Sequence, residues 1–183
     1  MDRRQRKTRE AIFNAFVTLL SKKEFAQITV SEIISLADIG RATFYSHFET
    51  KDFLLKELCE ELFHHIFDSI NNQHSERRYI FDCDAPNSAF LHLFQHLQKN
   101  DNNILELLSS KNNELFLSYF KTNLQRLVVS QWSSFEMRKS NKLPDSFWIN
   151  HIASTFVETV RWWIENGMKE SPETMTEYFI LAV

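Results

Sequence analysis

Glycine and proline are scarce in this chain of 183 residues, which contains two glycines and three prolines. Each of them, Gly40, Gly167, Pro86, Pro144 and Pro172, stands where a helical pattern of apolar residues is interrupted. Sheet proteins need turn residues at short intervals, and this sequence does not supply them. We therefore predict an all-α fold of about nine helices, three in a small N-terminal module and six in a larger helical bundle.

The same scarcity excludes several classes of enzyme. Phosphate-binding loops, dinucleotide fingerprints and nucleophile elbows each require two or more glycines close together, and the two glycines here lie far apart. The zinc-protease pattern His-Glu-x-x-His and the redox pattern Cys-x-x-Cys are also absent. We predict that the chain is not an enzyme and carries no cofactor.

Cysteine is rare as well. Cys59 and Cys83 are the only two, and this fits a reduced cytoplasmic protein better than a disulfide-stabilised secreted one. No apolar run is long enough for a signal peptide or a membrane span. The expected location is the cytoplasm, without a membrane partner.

The charge is negative overall but unevenly distributed. A net charge of −3 argues by itself against a nucleic-acid-binding protein. However, residues 1–56 contain ten Lys and Arg against seven Asp and Glu, whereas the remainder contains eleven against seventeen. A basic module followed by an acidic body is the asymmetry expected of a local phosphate-binding surface.

Two short helices with a stop between them follow the first long helix. Thr29 and Glu32 form a capping box that begins the first of the two. Asp38 tolerates the left-handed conformation that ends it, and Gly40 is an acceptable N-cap for the second, at residues 41–47.

The second of these helices has an apolar and a polar side. Phe44 and Phe48 share a stripe that is expected to face the core. The outer side carries Ala42, Thr43, Tyr45 and Ser46. A helix of this length is not stable alone in water, so its neighbours must hold it. A short supported helix with a hydrogen-bonding side is typical of the recognition helix in a helix-turn-helix.

The stretch from Thr29 to Lys51 resembles the DNA-binding signature of the TetR family of bacterial transcriptional regulators. Its most specific part is the run Thr-Phe-Tyr-x-His-Phe together with the lysine that ends the stretch. The similarity covers roughly residues 7–58. Asp38 and Gly40 occupy positions where the family generally has a turn glycine and often has a serine or threonine cap.

By this resemblance the chain divides into a helix-turn-helix DNA-binding domain, residues 1–49, and a helical ligand-binding and dimerisation domain, residues 50–183. The recognition helix is implied to enter the major groove of double-stranded operator DNA, where Arg41 and Thr43 would read bases. The residues implied to contact phosphates are Thr29, Tyr45, His47 and Lys51, and Ala42 and Ser46 complete the DNA-facing set. One or two of a basic N-terminal group are also expected to contact the DNA backbone. That group is Arg3, Arg4, Arg6, Lys7 and Arg9.

The body is rich in phenylalanine. Most of the 17 phenylalanines fall on apolar stripes of its predicted helices, one of which runs from Asn112 to about Lys139. The family resemblance implies a small-molecule pocket in this bundle, but the sequence does not identify its residues. By the same resemblance, the chain would be a repressor released from a palindromic operator by a small-molecule effector, with the helix from Thr50 transmitting the signal. An activator controlled by a protein partner is the alternative.

The last two predicted helices are apolar on more than one side. One monomer core covers only part of such a helix, so we predict a homodimer in which these helices form a four-helix bundle between two copies. The alternative is that both helices belong to a monomer core. The residues assigned to the interface are Ile149, Ile152, Phe156, Val160, Trp163, Tyr178 and Phe179.

Two metal-dependent alternatives come from the histidines. Glu61-x-x-His64 is half of the pattern that binds two irons in ferritin-like bundles, but the sequence has no second copy. His92 and His96 lie four residues apart and, with His64, His65 and the two cysteines, would suit a metal-responsive regulator. Because histidines are common on helix surfaces, the sequence alone assigns no metal site.

Overall fold

A computed structural model of the chain describes residues 3–70, 88–99, 104–109 and 114–183. Within these ranges the chain forms nine α-helices and no β-strand, which confirms the all-α prediction. The helices are α1 (Arg3–Leu20), α2 (Val30–Leu36), α3 (Arg41–His47), α4 (Lys51–Ile70), α5 (Ala89–Gln98), α6 (Ile104–Ser109), α7 (Glu114–Ser130), α8 (Asp145–Glu165) and α9 (Pro172–Leu181). Short 3₁₀ turns occur at Phe25–Gln27, Trp132–Ser134 and Glu136–Arg138.

Local sequence signals determine both ends of α2. The hydroxyl of Thr29 accepts a hydrogen bond from the amide of Glu32 at 3.3 Å, and the Glu32 carboxylate accepts one from the Thr29 amide at 2.9 Å, so the predicted capping box is present. The ion pair with Lys23 and the hydrogen bonds from Thr29 lower the pKa of Glu32 to about 2. At the other end, Asp38 has the predicted left-handed conformation, with a φ of 51°.

The connection between α8 and α9 is a Schellman turn built on Gly167. This glycine has a φ of 74°, and the amide of Met168 donates to the carbonyl of Trp163 at 2.9 Å. Ser171 then caps α9 with its side chain, and Pro172 occupies the first turn. Gly167 and Pro172 thus lie at helix boundaries, in agreement with the interruptions of the helical pattern that the sequence shows there.

The helix predicted to reach about Lys139 is shorter in the structure. Helix α7 ends at Ser130, whose hydroxyl donates to the carbonyl of Leu127 at 2.7 Å. Serine side chains compete with the helix for backbone acceptors in this way. The chain continues in two 3₁₀ turns, and these still bury Phe135, whose ring lies 5.5 Å from that of Phe90.

The core of the body is a cluster of aromatic rings around Phe156 of α8. The centroid of the Phe156 ring lies 4.7 Å from that of Phe94 on α5, 5.2 Å from that of Phe179 on α9 and 6.5 Å from that of Phe120 on α7. Aromatic pairs at these separations stabilise a fold beyond the apolar area that they bury. Helix α8 is therefore the element on which α5, α7 and α9 pack.

The structure places five of the seven residues predicted for the dimer interface inside the single chain. These are Ile152, Phe156, Val160, Trp163 and Phe179. The physical reason is that α8 is apolar on more than one side, and its larger stripe faces the aromatic core. Ile149 is half-buried. The outward side carries Trp162, 44% exposed, next to Tyr178, 47% exposed.

Helix α4 contacts both the N-terminal helices and the body. Its Glu57 and Glu61 carboxylates pair with Arg9 of α1. Farther along the same helix, the ring of Phe63 packs against Phe120 of α7 with 5.2 Å between centroids. This is the position expected of a helix that links the two parts mechanically.

Replacing Phe156 by alanine is expected to lower the free energy of unfolding by about 3–5 kcal/mol, because the cavity would open at the centre of the aromatic core. Phe147→Ala removes the same ring from a site on α8 that is 56% exposed, and it should change the stability by less than about 0.5 kcal/mol. Urea denaturation followed by circular dichroism measures both variants. Equal losses would contradict this description of the core.

Candidate nucleic-acid interface

The short helix α3 is held by its apolar side. Phe44 and Phe48 are fully buried, as predicted. The Phe48 ring lies 5.4 Å from Phe13 of α1 and 6.5 Å from Phe53 of α4, measured between centroids. The guanidinium of Arg9 lies over the same ring at 4.9 Å. Helices α1 and α4 thus form the support on which α3 rests.

The opposite side of α3 faces solvent. Six of the eight predicted DNA-contacting residues belong to this helix. Arg41, Ala42, Tyr45 and Ser46 are exposed, and Thr43 and His47 are half-buried. Tyr45 keeps 48% of its surface exposed while its ring packs edge-on against Phe44 at 5.4 Å. The result is a continuous hydrogen-bonding surface on a helix whose other side is anchored.

Arg41 stands at the first position of α3. Its Nη2 donates a hydrogen bond to the Ser31 hydroxyl of α2 at 3.1 Å. A guanidinium has five N–H donors in a fixed plane, so this bond uses one of them and orients the group. Both side chains are exposed. Arg41 therefore lies at the edge shared by the two helices of the helix-turn-helix.

Thr29 and Ser46 already use their hydroxyl protons within the module. The Thr29 hydroxyl donates to a carboxylate oxygen of Glu32 at 2.8 Å, and the Ser46 hydroxyl donates to the carbonyl of Thr43 at 2.7 Å. A hydroxyl has one proton. Donation to a DNA phosphate would therefore require each of them to give up its internal bond.

Lys51 has a structural role that the sequence pattern does not reveal. Its Nζ donates to the carbonyls of Phe25, Ala26 and Ile28 at 3.1, 3.3 and 2.9 Å, and it lies 4.6 Å from the centre of the Phe25 ring. These bonds use all three N–H groups of the ammonium. The phosphate contact predicted for Lys51 stays a prediction, and it would require the ammonium to leave these carbonyls.

The basic residues of α1 separate into two groups. Arg9 pairs with two carboxylates of α4, and Arg6 pairs with Glu10 at 3.7 Å. The Arg9 pairs are largely shielded from solvent, whereas the Arg6 pair is an exposed contact between successive turns of α1. Arg3, Arg4 and Lys7 are exposed, and they are the members of the group that are best placed to meet a DNA backbone.

A cluster of imidazoles lies away from α3. His65 of α4 meets His92 and His96 of α5, with 4.9 Å between each pair of ring centroids. Burial, and next the neighbouring imidazoles, lower the pKa of His92 to about 3, so this ring is neutral at physiological pH. His64 does not belong to the cluster.

The other groups considered for metal binding lie elsewhere. Cys59 is buried beside Asn123, and burial raises the pKa of its thiol. Cys83 lies outside the described residues. Glu61, which belongs to the half-pattern for two irons, pairs with Arg9 at 3.7 Å. None of the helices in the described part of the chain combines the length and apolarity needed to cross a bilayer.

Two protein-family models match this chain. A family model described as "Bacterial regulatory proteins, tetR family" matches residues 12–58, and one described as "Transcriptional regulator C-terminal region" matches residues 84–182. The second match alone covers more than half of the chain. The chain belongs to the TetR family. It is a DNA-binding transcriptional regulator of this type, and the residues of α2 and α3 form its helix-turn-helix.

Individual TetR-family relatives agree with this assignment. A TetR transcriptional regulator from Streptococcus agalactiae 2603V is 35% identical with a TM-score of 0.75, covering 100% of this chain and 96% of that one. FadR of Bacillus subtilis, solved in complex with stearoyl-CoA, is 19% identical with a TM-score of 0.59, covering 93% of this chain and 95% of that one, so the likeness is one of fold. The uncharacterised regulator YxbF of Bacillus subtilis is 41% identical over 71 residues, 36% of this chain and 19% of YxbF. The match thus spans less than a fifth of the length of YxbF.

Replacing Lys51 by alanine should lower the free energy of unfolding by about 1.5–3 kcal/mol, because three carbonyls lose a charged hydrogen-bond donor. Lys22→Ala removes an exposed lysine from the turn that follows α1 and should change the stability by less than about 0.5 kcal/mol. Urea denaturation followed by far-ultraviolet circular dichroism measures the difference. If the two variants were equally stable, Lys51 would not hold the module together.

Proposed function

We propose that this TetR-family regulator is a cytoplasmic repressor that binds a near-palindromic operator as a homodimer and leaves it when a small-molecule effector enters the C-terminal bundle. The observation that carries this proposal is the exposed hydrogen-bonding side of α3, on a module joined to the body through α4. Such release requires the effector to bind two conformations with different affinity, and the coupling is typically about 1–3 kcal/mol.

Recognition of the operator rests on the N-terminal end of α3. Arg41 is long enough to reach a guanine edge in the major groove, and Thr43 would read a neighbouring base. Tyr45 and His47 flank these positions and would contact phosphates, which fix the register without reading sequence. Lys51 would contribute by holding residues 25–28 against the start of α4.

The dimer surface that we propose is the outward side of α8 and α9. A groove of about 510 Å³ lies along it, and the rings of Trp162 and Tyr178 stand 6.3 Å apart at its edge. The groove is lined by Ser154, Thr155, Glu158, Thr159, Trp162, Met175, Tyr178 and Ala182. A second copy related by a two-fold axis would cover these rings with its own α8 and α9, forming a four-helix bundle with an isologous interface.

The effector is expected to be predominantly apolar. The interior of the body is built from phenylalanine rings such as Phe90, Phe94 and Phe120, and pockets in helical bundles form between such side chains. The stearoyl-CoA bound by FadR belongs to that protein, and it motivates including acyl compounds in a screen. A thermal-shift screen would find binders. Binders that leave operator affinity unchanged would overturn release by an effector, and an activator controlled by a protein partner would then be favoured.

The Arg41→Ala variant should bind its operator about 1–3 kcal/mol more weakly and lose discrimination at one base position. Operator sequences selected from a random duplex pool with the wild-type protein provide the probe, and fluorescence anisotropy gives the affinity. Arg4→Ala is the matched control, because the exposed Arg4 would contact phosphate only. It should weaken binding to selected and random duplexes equally. Equal loss on both duplexes for Arg41→Ala would refute its role as a base reader.

Trp162→Arg should convert the dimer into a monomer of 21.8 kDa and weaken operator binding, because a charge would then face its own copy across the two-fold axis. Sedimentation at micromolar concentration measures the mass. Val129→Arg places the same charge on the exposed side of α7 and should remain dimeric. Phe156→Arg is unsuitable for this test, since that ring belongs to the core. A monomeric wild-type protein would overturn the proposed interface.

A further inference from the structure

Three imidazoles converge where α4 meets α5. His65 comes from α4, whereas His92 and His96 lie four residues apart on one side of α5. One ring nitrogen from each of the three lies within 4.8 Å of the others. His92 and His96 are buried, and His65 is partly buried. Among the residues that the structure describes, this is the one group of three potential metal ligands that comes together.

The spacing of two of the nitrogens fits a tetrahedral metal ion. The Nε2 atoms of His92 and His96 are 3.1 Å apart. Two nitrogens bound to zinc at about 2.0–2.1 Å in a tetrahedral arrangement lie about 3.3 Å from each other. A metal ion would therefore need a small movement of these two rings and a shift of the proton that bridges their Nε2 atoms to Nδ1 of His96, because each ligand must present an unprotonated nitrogen. The third nitrogen would come from the facing helix.

The hydrogen bonds of Ser69 on α4 favour the tautomer of His92 that metal binding requires. The Ser69 hydroxyl donates its single proton to the carbonyl of Ile66 at 2.7 Å, and its oxygen lies 2.9 Å from Nδ1 of His92. The hydroxyl must then accept a hydrogen bond from Nδ1–H, which leaves Nε2 of His92 as the unprotonated nitrogen. Metal-binding histidines are generally oriented in this way by a second hydrogen bond.

We propose that His65, His92 and His96 bind one divalent transition-metal ion, with Zn²⁺ as the best fit. Neutral imidazoles suit Zn²⁺, Ni²⁺ and Cu²⁺, while Mg²⁺ and Ca²⁺ prefer oxygen ligands. Three histidines leave a coordination position for water or for a donor atom of an effector, as in zinc sites that bind exchangeable ligands. Ser69 is a positioning residue for this site.

The metal would connect the linking helix to the body. Since α4 also carries the contacts to Arg9 and supports α3, an ion bound between α4 and α5 would favour one arrangement of these helices. We expect Zn²⁺ to change operator affinity by about 5–150-fold, the range of an ordinary allosteric coupling. This last expectation rests on the proposed function, whereas metal binding itself does not.

The first experiment measures metal binding without DNA. The full-length protein, free of any affinity tag and dialysed against chelator, is titrated with Zn²⁺ and with Mg²⁺ in a calorimeter. We expect one Zn²⁺ per chain, a rise in melting temperature with Zn²⁺, and neither effect with Mg²⁺. Absence of Zn²⁺ binding to the wild-type protein would overturn the site and leave the three histidines as a hydrogen-bonded part of the core.

Variants then test which residues hold the ion. Ser69→Ala should weaken Zn²⁺ binding by about 10–100-fold, and His96→Gln should weaken it further. His64→Ala is the matched control, because His64 is next to His65 on α4 but lies outside the cluster, and it should bind Zn²⁺ like the wild-type protein. Should His96→Gln fail to fold, Ser69→Ala alone decides. Unchanged affinity in Ser69→Ala, or an equal loss in His64→Ala, would overturn the assignment.

The second experiment measures operator affinity with and without Zn²⁺ for the wild-type protein and for Ser69→Ala, at a Zn²⁺ concentration that fills only the wild-type site. A change confined to the wild-type protein supports regulation by the metal. Zn²⁺ binding with no change in operator affinity overturns that regulation but not the metal site. If no duplex is bound in either condition, the proposed function fails and the calorimetric result still stands.

Discussion

The packing of Phe48 determines where α3 stands in this molecule. Its ring lies between Phe13 of α1 and Phe53 of α4, and Arg9 covers it while pairing with carboxylates of α4. Burial of one phenylalanine contributes about 1.5–3 kcal/mol, whereas an isolated helix of seven residues has almost no stability. The exposed side of α3 is therefore oriented by α1 and α4 rather than by the hydrogen bonds of α3 itself. A displacement of α4 must carry α3 with it.

The features that the sequence predicts well are those determined by neighbours along the chain. The capping box at Thr29, the left-handed Asp38 and the stop at Gly167 each depend on a few adjacent residues. The role of Lys51 is different, because its acceptors are carbonyls 23 to 26 residues earlier in the chain. Every residue has a backbone carbonyl that can accept a hydrogen bond, so the sequence does not indicate which three carbonyls bind Lys51. The resemblance to a family singles out Lys51 as a phosphate contact, which stays a prediction, and gives no indication of its hydrogen bonds to these carbonyls.

The packing of the body is a second feature that the sequence does not determine. Apolar residues around α8 predict that several sides are covered, but they do not say which side meets the core of the same chain. Packing decides this, and the side with Phe156 turns inward. Likewise, the spacing of His92 and His96 places both on one side of α5, whereas the third imidazole comes from α4. Successive residues of a helix point about 100° apart, so His65 joins the two histidines of α5 whereas His64 does not. The orientation of α4 that decides this is defined by the tertiary structure and not by the sequence pattern.

Trp162 and Trp163 are consecutive in α8 and face opposite environments. Trp163 is fully buried and its indole N–H donates to the carbonyl of Glu170 at 3.1 Å, while Trp162 stands in the outer groove beside Tyr178. All four tryptophans of the chain lie between residues 132 and 163. Its tryptophan fluorescence therefore originates in the body alone, with the Trp163 indole in the core and the Trp162 indole in contact with water. Changes in the body can therefore be followed by tryptophan fluorescence without an added label. The N-terminal module contributes no tryptophan signal.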